Sequence, residues 1–150
     1  SRPGAQPTPA PEGSGPLDSA LRGHWSYARE GFDGLSREVG YVFKEDGTAK
    51  QYVALIQDAF NSTMQCEYMW SYESIAGFSP SRMKLTFVEY GRRPNVSVCL
   101  DYQPGAAKYC IYRVTRSPQS QLQIDCKDSG FPNDLPLDAQ VYARPFGSPF

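Results

Sequence analysis

The sequence predicts an all-β domain: an eight-stranded antiparallel up-and-down β-barrel flanked by a Pro-rich N-terminal tail and an irregular C-terminal tail. Three observations predict it. In Cys66-Glu-Tyr68-Met-Trp70-Ser-Tyr72-Glu the large rings recur at every second position, and only a β-strand puts such residues on one face. Short alternating runs of the same kind recur along the chain between turn residues, and no stretch carries a convincing helical period. Sequential strands joined by hairpins are most simply arranged as a barrel, because closure removes the unpaired edges of an open sheet.

Residues 1–16 carry Pro3, Pro7, Pro9, Pro11 and Pro16 among Gly, Ala, Ser and Thr, a composition that favours solvated, polyproline-like chain over a packed core. The barrel is expected over 17–127, with strands at 23–30, 38–44, 48–56, 66–73, 82–90, 96–102, 107–115 and 121–125. Asp46-Gly47 is the strongest hairpin signal, since both residues tolerate the positive φ of a type I′ turn. Gln103-Pro-Gly-Ala106 and Gly91-Arg-Arg-Pro94 mark further turns. Residues 128–150 are Pro- and Gly-rich again and are expected to strap onto the barrel through Phe131, Phe146 and Phe150, with 136–143 forming a short helix or an extra strand.

The 103–106 turn suggests a register. With Asp101 opposite Lys108, Leu100 meets Tyr109, Val98 meets Ile111 and Cys99 meets Cys110, so apolar residues share one face while a charge pair and two thiols share the other. That register predicts a Cys99–Cys110 disulfide and leaves Cys66 with Cys126 by elimination.

Composition excludes several function classes. A net charge of −1 with both signs interspersed offers no electrostatic footprint for nucleic acid. No apolar run approaches the roughly 18 residues of a membrane-spanning helix. Four cysteines without a C-x-x-C pair, near the single His24, point to two disulfides in an oxidising, extracytoplasmic compartment (secreted, periplasmic or surface-anchored) rather than to a metal site. No Ser-His-Asp arrangement is legible, His24 should sit exposed beside Trp25, and Glu67, Glu73, Glu89 and Asp101 fall on predicted outward faces or strand ends. The expectation is therefore a non-enzyme without a cofactor. Asn61-Ser-Thr63 and Asn95-Val-Ser97 fit the N-glycosylation pattern in predicted loops.

Where Leu21-Arg-Gly23-His-Trp25 opens the first strand, the chain resembles the lipocalin or calycin superfamily, whose barrels begin with Gly-x-Trp. Leu100-Asp101-Tyr102 is similar to that family's Thr-Asp-Tyr motif, and a Cys66–Cys126 link is similar to its common tie from the fourth strand to the C-terminal segment. Tyr41-x-Phe43-x-x-Asp46-Gly47-Thr48, with Tyr112-Arg113-Val114 and Leu122-Gln-Ile124, resembles the smaller bacterial lipocalin-like domains. The resemblance spans about residues 21–126. The family's C-terminal helix is not evident, and its closing Arg has no counterpart after the last expected strand beyond Lys127.

In such a barrel the expected inward set is Trp25, Tyr27, Tyr41, Phe43, Tyr52, Tyr68, Trp70, Tyr72, Leu85, Phe87, Val98, Leu100, Tyr109, Ile111, Leu122 and Ile124. Trp25 should plug the closed end. A small hydrophobic or amphipathic ligand entering the open end would stack on Tyr52, Tyr68, Trp70, Tyr72 and Phe87, whose hydroxyl and N–H groups demand partners when buried. The alternative is a closed, packed barrel that acts as an inhibitor, envelope adaptor or surface lipoprotein, meeting a protein partner through loops 60–65 and 77–81 and the tails.

Overall fold

The structure, a computed structural model, describes residues 18–31, 34–56, 62–75, 77–93, 99–116 and 118–145. It is all-β: a closed antiparallel barrel of eight strands in sequential order. They are β1 (Gly23–Glu30), β2 (Ser36–Phe43), β3 (Thr48–Ile56), β4 (Ser62–Ile75), β5 (Ser81–Tyr90), β6 (Ala107–Thr115), β7 (Gln121–Lys127) and β8 (Val141–Ala143). Closure comes where Ala143 of β8 meets Ser26 of β1. Asp46-Gly47 makes the β2–β3 hairpin, though not as the expected type I′ turn: Gly47 takes φ 88° while Asp46 keeps a negative φ, and the Asp46 carboxylate accepts from Thr48 N at 3.0 Å.

Strand parity sets the core. Trp25 and Tyr27 of β1, Val39, Tyr41 and Phe43 of β2, and Tyr68, Trp70 and Tyr72 of β4 turn inward. Met83, Leu85 and Phe87 of β5, Cys110 and Tyr112 of β6, Leu122 and Ile124 of β7, and Tyr142 of β8 complete the interior. Edge-to-face ring pairs fill it, including Trp70 with Phe87 at 5.3 Å and Phe43 with Tyr72 at 5.2 Å between centroids.

One end is closed by a short 3₁₀ helix, Ser19–Leu21, capped by Asp18, whose carboxylate accepts from Ala20 N at 3.0 Å and from the Tyr112 hydroxyl at 2.8 Å. Leu21 O accepts the Trp25 Nε1–H at 2.8 Å. The Arg144 guanidinium stacks 3.6 Å from the centre of the Trp25 ring and donates to Arg22 O at 2.7 Å and His24 O at 3.3 Å. The cation that seals the closed end is thus Arg144, just beyond β8, and not Lys127.

Several expectations are corrected. Residues 94–98 lie outside the described residues, and 99–106 form no strand; the eighth strand comes instead from 141–143, the extra strand that is one of the two alternatives for 136–143. Tyrosine hydroxyls do for 99–102 what a ladder would have done: Leu100 N donates to the Tyr68 hydroxyl at 2.8 Å, and Tyr102 N to the Tyr90 hydroxyl at 2.7 Å. Leu100 is 58% exposed, while Tyr102 turns inward between Trp70 and Phe87, at 5.0 and 5.3 Å. Val98 falls among the residues not described.

The disulfides are Cys66–Cys99 and Cys110–Cys126, replacing both expected pairings. The reason is register. The neighbours of β6 are β5 and β7, so Cys110 lies opposite Met83 on one side and Cys126 on the other, and Cys99 never comes opposite it. The same slip inverts Tyr109 and Ile111, which share the outward parity of β6; Tyr109 packs edge-on against Phe131 at 5.2 Å. Asn61 and Asn95 lie outside the described residues, and 62–65, expected in a loop, begin β4.

Candidate functional site

The expected ligand residues divide. Tyr68, Trp70, Tyr72 and Phe87 come together inside the barrel, each no more than 2% exposed. Their polar atoms are answered within the chain: Trp70 Nε1 donates to Gln51 Oε1 at 3.1 Å, the Tyr72 hydroxyl donates to Lys44 O at 2.8 Å, and the Tyr68 hydroxyl accepts from Leu100 N. Burial pushes the Tyr72 phenol up to about 12 and raises that of Tyr68, so both are neutral donors and acceptors at physiological pH. With Tyr102 inserted among them, these rings are core, and their faces are occupied by one another.

Tyr52 is not among them. The β2–β3 register sets it opposite Gly40, on the outer face. A Cβ at Gly40 would stand 2.6 Å from the Tyr52 ring, so the missing side chain is what lets the ring lie flat on the sheet. There the Tyr52 hydroxyl donates to Glu38 and meets His24 Nε2, and His24 lies 3.7 Å from the Glu38 carboxylate. Burial lowers the His24 pKa, opposed by the Glu38 charge; burial and the Glu38 bond raise that of Tyr52.

A pocket of about 340 Å³ opens at the end of the barrel opposite Trp25. It is lined by Val39, Gln51, Val53 and the buried Tyr68, with Arg29, Arg37 and Gln65 on its more exposed side. Arg37 Nε donates to Gln65 Oε1 at 3.0 Å and its NH1 to Leu35 O at 3.3 Å, which fixes the guanidinium across the mouth. Leu100 and the Cys66–Cys99 disulfide border the same mouth, so the disulfide ties the β5–β6 connection to it. At the closed end a hollow of about 360 Å³ is walled by Arg22, Arg116 and Arg144 with Ser19 and Ser120. There Arg144 is committed to Trp25 and main-chain carbonyls, and Arg22 pairs with Glu45 at 3.2 Å.

Reading from the sequence missed the rim. The signal was present in strand parity: Trp25-x-Tyr27-x-Arg29 and Arg37-x-Val39-x-Tyr41 carry both arginines to the inward face. Among the described residues, no group of three or more His, Cys, Asp and Glu side chains is placed to hold a metal ion, and no helix is long and apolar enough to cross a membrane. Two disulfides suit an oxidising, extracytoplasmic environment. Comparison with family models, curated proteins and solved structures finds no match to the chain.

Proposed function

We propose that this protein is an extracytoplasmic, lipocalin-like barrel that binds a small amphipathic molecule at its mouth. The observation that carries this reading is the pocket bounded by Val39, Val53 and Tyr68 below and Arg29, Arg37 and Gln65 above. Its volume of about 340 Å³ is at the low end of the roughly 300–1,000 Å³ of ligand pockets, and its plan of apolar walls with a few convergent polar groups is the usual one. Trp25 sealed beneath Arg144 at the far end supports the lipocalin likeness, because it supplies the closing arginine that residues 21–126 lack. The ligand proposed here is smaller and shallower than one stacked on Trp70, Tyr72 and Phe87 would be.

Fluorescence titration with a lipophilic dye tests the reading. Gln51 both lines the pocket and accepts from Trp70 Nε1, so an occupant should change Trp70 emission saturably. The tightly filled interior favours a second reading, a barrel that acts only through its outer surface. An emission spectrum unmoved at high dye concentration would select it.

A further inference from the structure

We infer that the ligand of the mouth pocket carries a head group that accepts hydrogen bonds and donates none, of the ketone or ester carbonyl type, on a short apolar tail. This deepens the mouth-binding reading above and rests on it. Three uncharged polar side chains line the pocket: Gln51, Gln65 and Tyr68. Each has its oxygen engaged by a group that can only donate. Trp70 Nε1–H donates to Gln51 Oε1 at 3.1 Å, Arg37 Nε–H to Gln65 Oε1 at 3.0 Å, and Leu100 N–H to the Tyr68 hydroxyl at 2.8 Å. An indole, a guanidinium and a main-chain N–H have no lone pair to offer, so neither glutamine can turn its amide over without setting N–H against N–H.

Both carboxamides are thereby fixed with the carbonyl on the protein and the NH2 as the end left to meet an occupant, and the Tyr68 hydroxyl keeps its proton to give. The polar lining of the pocket is therefore a set of neutral donors, fixed by bonds that are present in the fold. Strand pairing places them around an apolar wall. Gln51 faces Tyr68 across the β3–β4 ladder, and Val53, two residues on from Gln51, is paired with Val39 across the β2–β3 ladder. A carbonyl oxygen, with two lone pairs and no proton, takes two such donors, and its tail packs along Val39 and Val53. An amine head would set its own N–H groups against those of the glutamines.

Fluorescence titration of the whole chain with octan-2-one and with 2-methyloct-1-ene tests the inference, because the two share a shape and differ only in an oxygen where the alkene has a methylene group. A pocket that offers the head no hydrogen bond prefers the hydrocarbon by on the order of 10-fold or more, since the ketone gives up its hydration for nothing. Here octan-2-one should bind at least as tightly as the alkene. Gln51→Glu keeps an oxygen for Trp70 Nε1–H and removes the NH2, so it should weaken octan-2-one binding about 10-fold or more. Near-ultraviolet circular dichroism of the aromatic core should match wild type, which separates loss of a ligand contact from loss of fold. Gln65→Glu, where a carboxylate suits Arg37, carries the same test should Gln51→Glu not fold. Tighter binding of the alkene than of the ketone by wild type, or a folded variant that keeps wild-type octan-2-one affinity, would overturn the inference and leave the mouth-binding reading standing. Failure of both compounds to bind would overturn both.

Discussion

Truncating Arg144 to alanine should be among the most costly surface substitutions in this barrel. The guanidinium lies 3.6 Å over Trp25 and donates to Arg22 O at 2.7 Å and His24 O at 3.3 Å. A partly desolvated cation–π contact contributes about 0.5–2 kcal/mol, and a hydrogen bond from a charged donor about 1.5–3 kcal/mol. These are not additive, so Arg144→Ala is expected to cost about 2–4 kcal/mol, and Arg144→Lys, which keeps the charge but loses the planar fork, about half of that. In a domain of this size each kcal/mol moves the melting temperature by roughly 3–5 °C. Urea unfolding followed by tryptophan fluorescence measures the loss directly, with Trp25 as the local reporter. Arg22→Ala is the control: it lines the same hollow, but its pair with the 76%-exposed Glu45 side chain is worth at most about 1 kcal/mol. An Arg144→Ala protein within about 0.5 kcal/mol of wild type, or no worse than Arg22→Ala, would refute the assignment of Arg144 as the residue that seals the closed end.

Other outcomes follow from the same coordinates. Tyr41, Tyr72, Tyr112 and Tyr142 are buried with phenol pKa values raised by burial, to about 12 for Tyr72. The unfolded chain releases these protons near pH 10, so their contribution to stability is complete below about pH 10 and falls as the pH rises above it. A tyrosinate absorbance titration should show these phenols appearing only with unfolding; all ten tyrosines ionising near pH 10 in a folded protein would contradict it. His24 has the opposite sign: its folded pKa lies below the ordinary 6.5, so stability is lost as the pH falls below about 6.5, and His24→Gln should flatten that slope in denaturation curves taken from about pH 7 to 5. An unchanged slope would place the titrating group elsewhere. An unreduced proteolytic digest should yield Cys66 joined to Cys99 and Cys110 joined to Cys126, and replacing the second pair by alanines, which opens a separation of 16 residues, should cost about 3 kcal/mol.

What could be read in advance divides along a physical line. Strand identity came from alternation, which is local; hence the first five strands and the 107–115 and 121–127 strands stand within a few residues of their expected positions. Pairing partners are not local. Residues 96–102 alternate as a strand should, and the turn at 104–105 forms, yet Phe87 takes both Gly105 N, at 2.8 Å to its carbonyl, and Ala106 O, at 2.8 Å from its amide. That contact docks the turn on β5 and leaves no ladder partner for 99–102. Once β5 became the neighbour of β6, the disulfides and the faces of Tyr109 and Ile111 changed together, because a strand's side-chain parity is decided by its partners as a whole. Tyr52 illustrates the other failure. Its size suggested the interior, and only the absence of a side chain at Gly40 gives it a better place outside. The rim was legible by parity but hidden by expectation, since an arginine on an inward face runs against the rule that charges lie outside.

The two ends of the barrel use the same residue type in opposite ways, and the contrast bears on what the molecule does. At the closed end Arg144 is surrounded by acceptors and a ring, so its charge is already answered by the fold itself. At the mouth Arg29 faces Arg37 across the ladder and gains no acceptor from the described chain. The packed interior adds a second limit: Tyr102 lies against both Tyr68 and Trp70 behind the pocket, so any occupant would be confined to the mouth, where these side chains and not the deep aromatic rings would meet it.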